Sequence, residues 1–98
     1  MNFEWDKAKN QSNIKKHLIS FKEAQAIFEG EVLTVADDRF HYSEERYISF
    51  GELVLADGRI IIAVVHTERG DRTRIISARK ANRRERRHYH EYIHRGPA

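Results

Sequence analysis

The spacing of hydrophobic positions changes period twice along the chain. Phe21, Ala24, Ile27 and Phe28 recur at helical spacing and Gly30 stops the run. Ser20-Phe21-Lys22-Glu23 ahead of them is a capping box, in which Ser20 and Glu23 satisfy each other's backbone N–H groups. Before it, Asp6 caps a helix through about residue 17, with Ala8, Ile14 and Leu18 facing inward and Lys7, Lys9, Lys15 and Lys16 in water. Beyond Gly30 the residues become β-branched and aromatic, in runs over 32–36, 46–55, 60–67 and 73–78. Ala56-Asp57-Gly58-Arg59 and Arg69-Gly70-Asp71-Arg72 are hairpin turn signals, which makes these strands an antiparallel meander. The run 60–65 shows no alternation, as expected of an interior strand covered on both faces. A last helical pattern spans about 80–94, with Ala81, Glu85, Tyr89 and Ile93 along one line and His88 and Tyr92 beside it.

These elements predict an α+β fold: two N-terminal helices, a four-stranded antiparallel sheet and a C-terminal helix. A short N-terminal strand over 3–5 makes the sheet five-stranded where it joins. The 98 residues, 40% of them hydrophobic, suffice for one core, so residues 1–98 form a single domain.

Charge changes the picture. Residues 1–68 carry 8 Lys/Arg against 12 Asp/Glu, net −4, whereas residues 69–98 carry 10 against 3, net +7. Such segregation suits a polyanion-facing surface, or in its plainest form a solvated basic helix. The absence of cysteine excludes a disulfide framework and thiolate chemistry and fits a reducing cytoplasm. Residues 1–7 lack a basic segment leading into an apolar one, so no signal peptide is expected, and the longest apolar run is far too short to span a bilayer.

Cutting RNA without metal requires a base for the 2′-hydroxyl proton, cations on the phosphorane and an acid for the leaving 5′-oxygen. Arg69, Arg74 and Arg79 lie on or beside strands, and His88 and Tyr89 lie on the following helix. Strand alternation puts Arg79 with Ser77 and Ile75, and Arg74 on the other face with Ile76 and Ala78. Arg74 and Arg79 then reach one phosphate only if a bulge intervenes, and Arg69 with Arg79 becomes the expected phosphate-stabilising pair. The segment 37–46 supplies His41 as a candidate proton carrier and Glu45 as its orienter or an alternative base. Each of these residues also has a structural reading, as an Arg–carboxylate pair or a turn-capping network. Metal binding is not expected: His90 and His94 alone have helical ligand spacing, and Asp37-Asp38 and Glu44-Glu45 would point to opposite faces of a strand. Trp5 reads as a core anchor.

Taken together, Met1-x-Phe3-Glu4-Trp5-Asp6-x-x-Lys9, Asn13-x-x-Lys16-His17, Ser20-Phe21-x-Glu23-Ala24, the 41–46 segment, Thr67-x-Arg69 and the run from Arg74 through Arg79 to Glu85-Arg86 and Tyr89 resemble the BrnT toxins of bacterial type II toxin-antitoxin systems. The likeness extends over residues 1–89. It implies a RelE-like ribonuclease fold, inhibition of translation by RNA cleavage, and neutralisation by a BrnA-type antitoxin with a ribbon-helix-helix DNA-binding region; no cofactor is expected. Operator DNA is then reached only through the antitoxin, in a hetero-oligomer. By position it makes Arg69 and Arg79 the site arginines, Tyr89 the helix residue near the leaving group, and Glu45 with Arg46 the acidic-basic pair before the third strand. The expected catalytic set is Arg69, Arg79, Glu45, His41 and Tyr89, with Arg46, Arg74, Arg83, Arg86 and His88 on the RNA. Leu18 and His66 depart from the family pattern, and His66 is expected to add a proton carrier beside the site. The rival class is a non-catalytic nucleic-acid-binding or regulatory subunit acting through the basic helix.

Overall fold

The computed structural model describes residues 1–39 and 43–95. The chain runs β1 (Asn2–Trp5), α1 (Lys7–His17), α2 (Phe21–Ala24), a 3₁₀ helix (Gln25–Glu29), β2 (Leu33–Ala36), β3 (Tyr47–Leu55), β4 (Gly58–Arg69), β5 (Arg72–Lys80) and α3 (Arg83–His94). The five strands form one sheet in the order β1-β5-β4-β3-β2. The α+β class stands, and the sheet differs from the four-stranded antiparallel expectation. β1 is a full member and pairs parallel with β5, so the sheet is mixed. Parallel pairing needs a long crossover and leaves no hairpin signal in the sequence.

β4 sits mid-sheet, which explains its lack of alternation. Ile62 and Val64 enter a core with Ile19, Phe21, Ala24, Ile27, Leu53, Ile75 and Ala78 under α1 and α2. Ile61, Ala63 and Val65 enter a second core with Ile48, Phe50, Ala81 and Tyr89 under α3. Trp5 packs edge-on against Phe21, as a core anchor should. Both predicted hairpins form as two-residue loops, closed by the Leu55–Gly58 and Arg69–Arg72 pairs. Gly70 occupies the left-handed region at φ 63°, which only glycine enters at little cost.

The helices differ in detail. Asp6 caps α1, and Ser20 and Glu23 form the predicted capping box, but α2 tightens into a 3₁₀ helix after one turn. α3 starts three residues later than expected, at a second capping box between Asn82 and Glu85. Ala8, Ile14 and Leu18 do not face inward: all three are exposed, and the residue α1 buries is Asn13. Its side-chain amide donates to the carbonyls of Ile19 and Ala78 (both 2.9 Å) and accepts from the N–H of Ala78 (3.1 Å). β1 covers β5 only as far as Ile75, and Asn13 takes over the exposed edge of β5 beyond it.

A hydrogen-bonded belt crosses four strands on the α1–α2 face: Thr34 Oγ1 to Ser49 Oγ (2.7 Å), Ser49 Oγ to His66 Nε2 (2.8 Å), His66 Nδ1 to Glu68 Oε2 (2.9 Å), and Thr73 Oγ1 to Glu68 Oε1 (2.9 Å). His66 is 5% exposed, between the rings of Phe28 and Tyr47. Burial lowers its pKa from the ordinary 6.5, opposed in part by Glu68. The unfolded chain therefore binds the proton first as pH falls through about 6.5. Stability from neutral His66 is complete above that pH and declines below it. This window lies above the titration of Asp6 and Glu85, whose pKa values are lowered from 3.8 and 4.5. Urea unfolding between pH 7.5 and 5 is expected to show a loss of stability on acidification in the native protein and a smaller loss in His66→Gln. Equal losses would remove His66 as the cause.

Candidate functional site

The arginines of β4 and β5 share one face because β5 carries a bulge. Val65 pairs with Ser77 and His66 with Ile75, so Ile76 has no counterpart on β4. The extra residue resets the alternation, as bulges do. Ile75 and Ala78 both turn into the α1–α2 core, and Arg74 and Arg79 both project on the α3 face, opposite Thr67 and Ala63 of β4. The expectation that Arg74 points away from Arg79 is thus corrected. Arg69 and Arg72, paired across the hairpin, extend the same face by the same alternation.

The register sets the spacing. Four residues of β4 separate the Arg79 row from the Arg74 row, on the order of 13 Å, and two more separate Arg74 from Arg69 and Arg72, roughly 7 Å, at about 3.3 Å per residue. Arg69 and Arg79 are consequently about 20 Å apart along the strand, too far to clasp one phosphate as the expected pair. Arg69, Arg72 and Arg74 form one cationic group and Arg79 a second, far enough apart to hold different phosphates of one strand. Between them lie the apolar side chains of Ile48, Val65 and Ile76.

A carboxylate accompanies each cation. Arg79 donates from NH1 to Glu85 Oε1 (2.8 Å) and from NH2 to Glu85 Oε2 (2.9 Å), which ties β5 to the first turn of α3. That bond outweighs burial, which acts the other way, and raises the pKa of Arg79. Glu85 Oε1 also accepts the N–H of Asn82, so both of its oxygens are occupied. Arg74 NH1 lies 2.7 Å from Glu4 Oε2, and Arg72 NH1 lies 3.8 Å from Glu4 Oε1. Arg69 reaches Glu44 at 3.4 Å. Arg39, paired with Asp37, adds its charge to the surroundings of Arg79 and Glu85.

Other expected residues are placed differently. Glu45 accepts from the Tyr47 hydroxyl at 2.9 Å, and the Tyr47 ring stands against His66 on the α1–α2 face, which draws the carboxylate away from the arginines. Arg46 is half-buried at the entrance to β3, where its carbonyl accepts the N–H of Asp37. His41 lies outside the described residues. His66, expected beside the site, belongs to the belt on the opposite face. Tyr89 is buried under α3 and its hydroxyl donates to the carbonyl of Glu31 (2.9 Å); burial, then Glu52 and Glu31, raise its pKa. Arg86 donates to the carbonyl of Ala81 and, with His90, lines a recess against Glu52 and Arg59. Helical spacing puts Arg84, His88 and Tyr92 on the flank of α3 opposite that recess, the flank toward the strand arginines, Arg83 in line with His90 on the recess flank, and Arg87 on the outer side. His90 and His94 stack at 6.2 Å.

Glu4 and Arg72 were missed as site residues. The signal lay in parity: Phe3 and Trp5 turn into the core, so Glu4 between them must face the other way. What the sequence does not reveal is that β1 lies beside β5.

A family model described as "Ribonuclease toxin, BrnT, of type II toxin-antitoxin system" matches residues 5–85. No curated protein matches the chain. Among the described residues no helix is long and apolar enough to cross a membrane.

Proposed function

The chain belongs to the BrnT family of ribonuclease toxins of type II toxin-antitoxin systems, and from that premise we propose that residues 1–98 form one RelE-like domain that cuts RNA without metal and thereby arrests translation. The observation that carries this reading is the gathering of Arg69, Arg72, Arg74 and Arg79 on one sheet face by a single bulge. Guanidinium groups bind phosphate in bidentate fashion and stabilise the charge that builds on a pentavalent phosphorus. Arg74, with Arg69 and Arg72 beside it, holds the scissile phosphate, and Arg79 holds a neighbouring one. His88, on the flank of α3 toward these arginines, protonates the leaving 5′-oxygen as the general acid. Tyr89 supports this arrangement by anchoring α3 through Glu31. Arg83 adds charge that lengthens the RNA footprint, and the cations of this face do for the phosphate what a metal does elsewhere.

A toxin of this class has an antitoxin partner. The partner is a BrnA-type protein with a ribbon-helix-helix region, which carries the hetero-oligomer to operator DNA, in the cytoplasm. RNA cut by the purified protein in EDTA is expected to end in 2′,3′-cyclic or 3′-phosphate, with 5′-hydroxyl on the other fragment. Uniform 3′-hydroxyl ends, or cutting that requires Mg²⁺, would sink the mechanism. Binding without any cutting would make the chain a regulatory subunit instead.

A further inference from the structure

We infer that Glu4 is the general base of this reaction, taking the proton of the 2′-hydroxyl beside the phosphate held by Arg74. The inference rests on the proposed ribonuclease reading and names a group that reading leaves open. In cleavage by the 2′-oxygen, nucleophile and phosphate belong to the same nucleotide. The base must therefore sit next to the phosphate-binding cation, within hydrogen-bond reach of the hydroxyl. Glu4 meets this demand. Its Oε2 holds Arg74 at 2.7 Å, which fixes the side chain, while Oε1 has only Arg72 NH1 at 3.8 Å and no hydrogen bond among the described residues. One oxygen is thus a positioning contact and the other an open acceptor on the arginine face.

Five other carboxylates around the sheet already hold partners of their own. Both oxygens of Glu85 are taken by Arg79 and Asn82. Asp37 gives both oxygens to Arg39. Glu45 is turned to Tyr47, and Glu68 serves His66 and Thr73 on the opposite face. Glu44 holds the exposed Arg69 at the hairpin end, at 3.4 Å. Glu4 is 24% exposed, sheltered enough to keep a fixed direction and open enough to meet a nucleotide.

The step balances. Glu4 Oε1 accepts the 2′-hydroxyl proton, the 2′-oxygen bonds to phosphorus, and the bond from phosphorus to the 5′-oxygen breaks. His88 supplies the proton to that oxygen. The products are a 2′,3′-cyclic phosphate and a 5′-hydroxyl, and Glu4 returns its proton to water. The charged groups facing Glu4 are Arg72 and Arg74 on β5, with Arg69 on β4 one row away and Asp6 at the end of β1, close enough to feel Arg74.

The test compares wild type, Glu4→Gln and Glu4→Asp on a labelled single-stranded RNA in EDTA, with binding measured on the same strand carrying 2′-deoxy sugars. Glu4→Gln is expected to cut about 10²–10⁴-fold more slowly, to bind the deoxy strand at least as tightly, and to lose the low-pH limb of the pH–rate profile. Glu4→Asp keeps the charge and the ion pair but retracts the oxygen by one methylene. It is expected to keep the limb and lose less rate, and it carries the test if the Gln variant does not fold. Wild-type cutting by Glu4→Gln, or faster cutting, overturns the assignment and makes Glu4 a shield on Arg74 while the ribonuclease reading stands. A wild type that leaves the RNA intact overturns that reading, and the assignment with it.

Discussion

Arg74→Ala is expected to slow RNA cleavage by about 10²–10³-fold, the usual effect of removing one preorganised donor from a developing oxyanion. The chemical loss should far exceed any loss of stability. The Arg74 and Glu4 side chains are 28% and 24% exposed, and a pair with that much access to water contributes about 0–1 kcal/mol to folding. Arg74→Lys restores a point charge without the planar fork and should recover only part of the rate. Arg79→Ala is the less clean experiment, because the same guanidinium holds Glu85 and with it the capped start of α3. Its loss cuts both bonds that tie β5 to the first turn of α3, so activity and melting temperature should fall together. Measuring single-turnover cleavage beside thermal unfolding separates the two variants. An Arg74→Ala protein that cuts at the wild-type rate would remove this face from the chemistry. Its RNA affinity should also depend less steeply on salt, by about one unit of log–log slope, if Arg74 contacts a phosphate.

Legibility from sequence followed the range of the interactions. β4, the capping box at Ser20 and both hairpin turns depend on neighbours a few residues away, and each leaves a local pattern that survives in the structure. The partner of β1 lies some seventy residues downstream, and nothing in Asn2–Trp5 specifies a parallel edge on β5. The bulge at Ile76 is subtler. One isoleucine decides whether five residues of strand count as odd or even, and a β-branched side chain suits either count. The site inherits this uncertainty: its cations are plain in the sequence, but which of them stand together depends on that residue. Glu45 shows the same limit from the other side, since its neighbour Tyr47 captures it through a contact that charge patterning does not weigh. Helix α1 misled for a different reason. Its apolar residues looked like the buried stripe, and a polar residue fills that role.

Asn13→Ala is expected to destabilise the fold by about 3 kcal/mol. The side chain satisfies the carbonyls of Ile19 and Ala78 and the N–H of Ala78, all in buried surroundings, and alanine leaves the three groups without partners. Each unsatisfied buried group costs about 1–3 kcal/mol, reduced where water enters the space the amide vacates. In a domain of this size that loss corresponds to a fall in melting temperature of roughly 12–24 °C. It is a large part of the 5–15 kcal/mol that typically holds a small domain together. Asn13→Asp should not rescue it, because a carboxylate keeps the acceptor for Ala78 but presents lone pairs to two carbonyl oxygens. Ile14→Ala removes a larger apolar group from the same helix and should cost under about 1 kcal/mol, since Ile14 is 39% exposed. The contrast decides what docks α1 on the sheet. If Ile14→Ala proves as costly as Asn13→Ala in urea unfolding, apolar packing holds the helix and the amide clamp is incidental. If the order is as expected, α1 is fastened to β5 chiefly by one side chain that completes the strand edge where β1 ends.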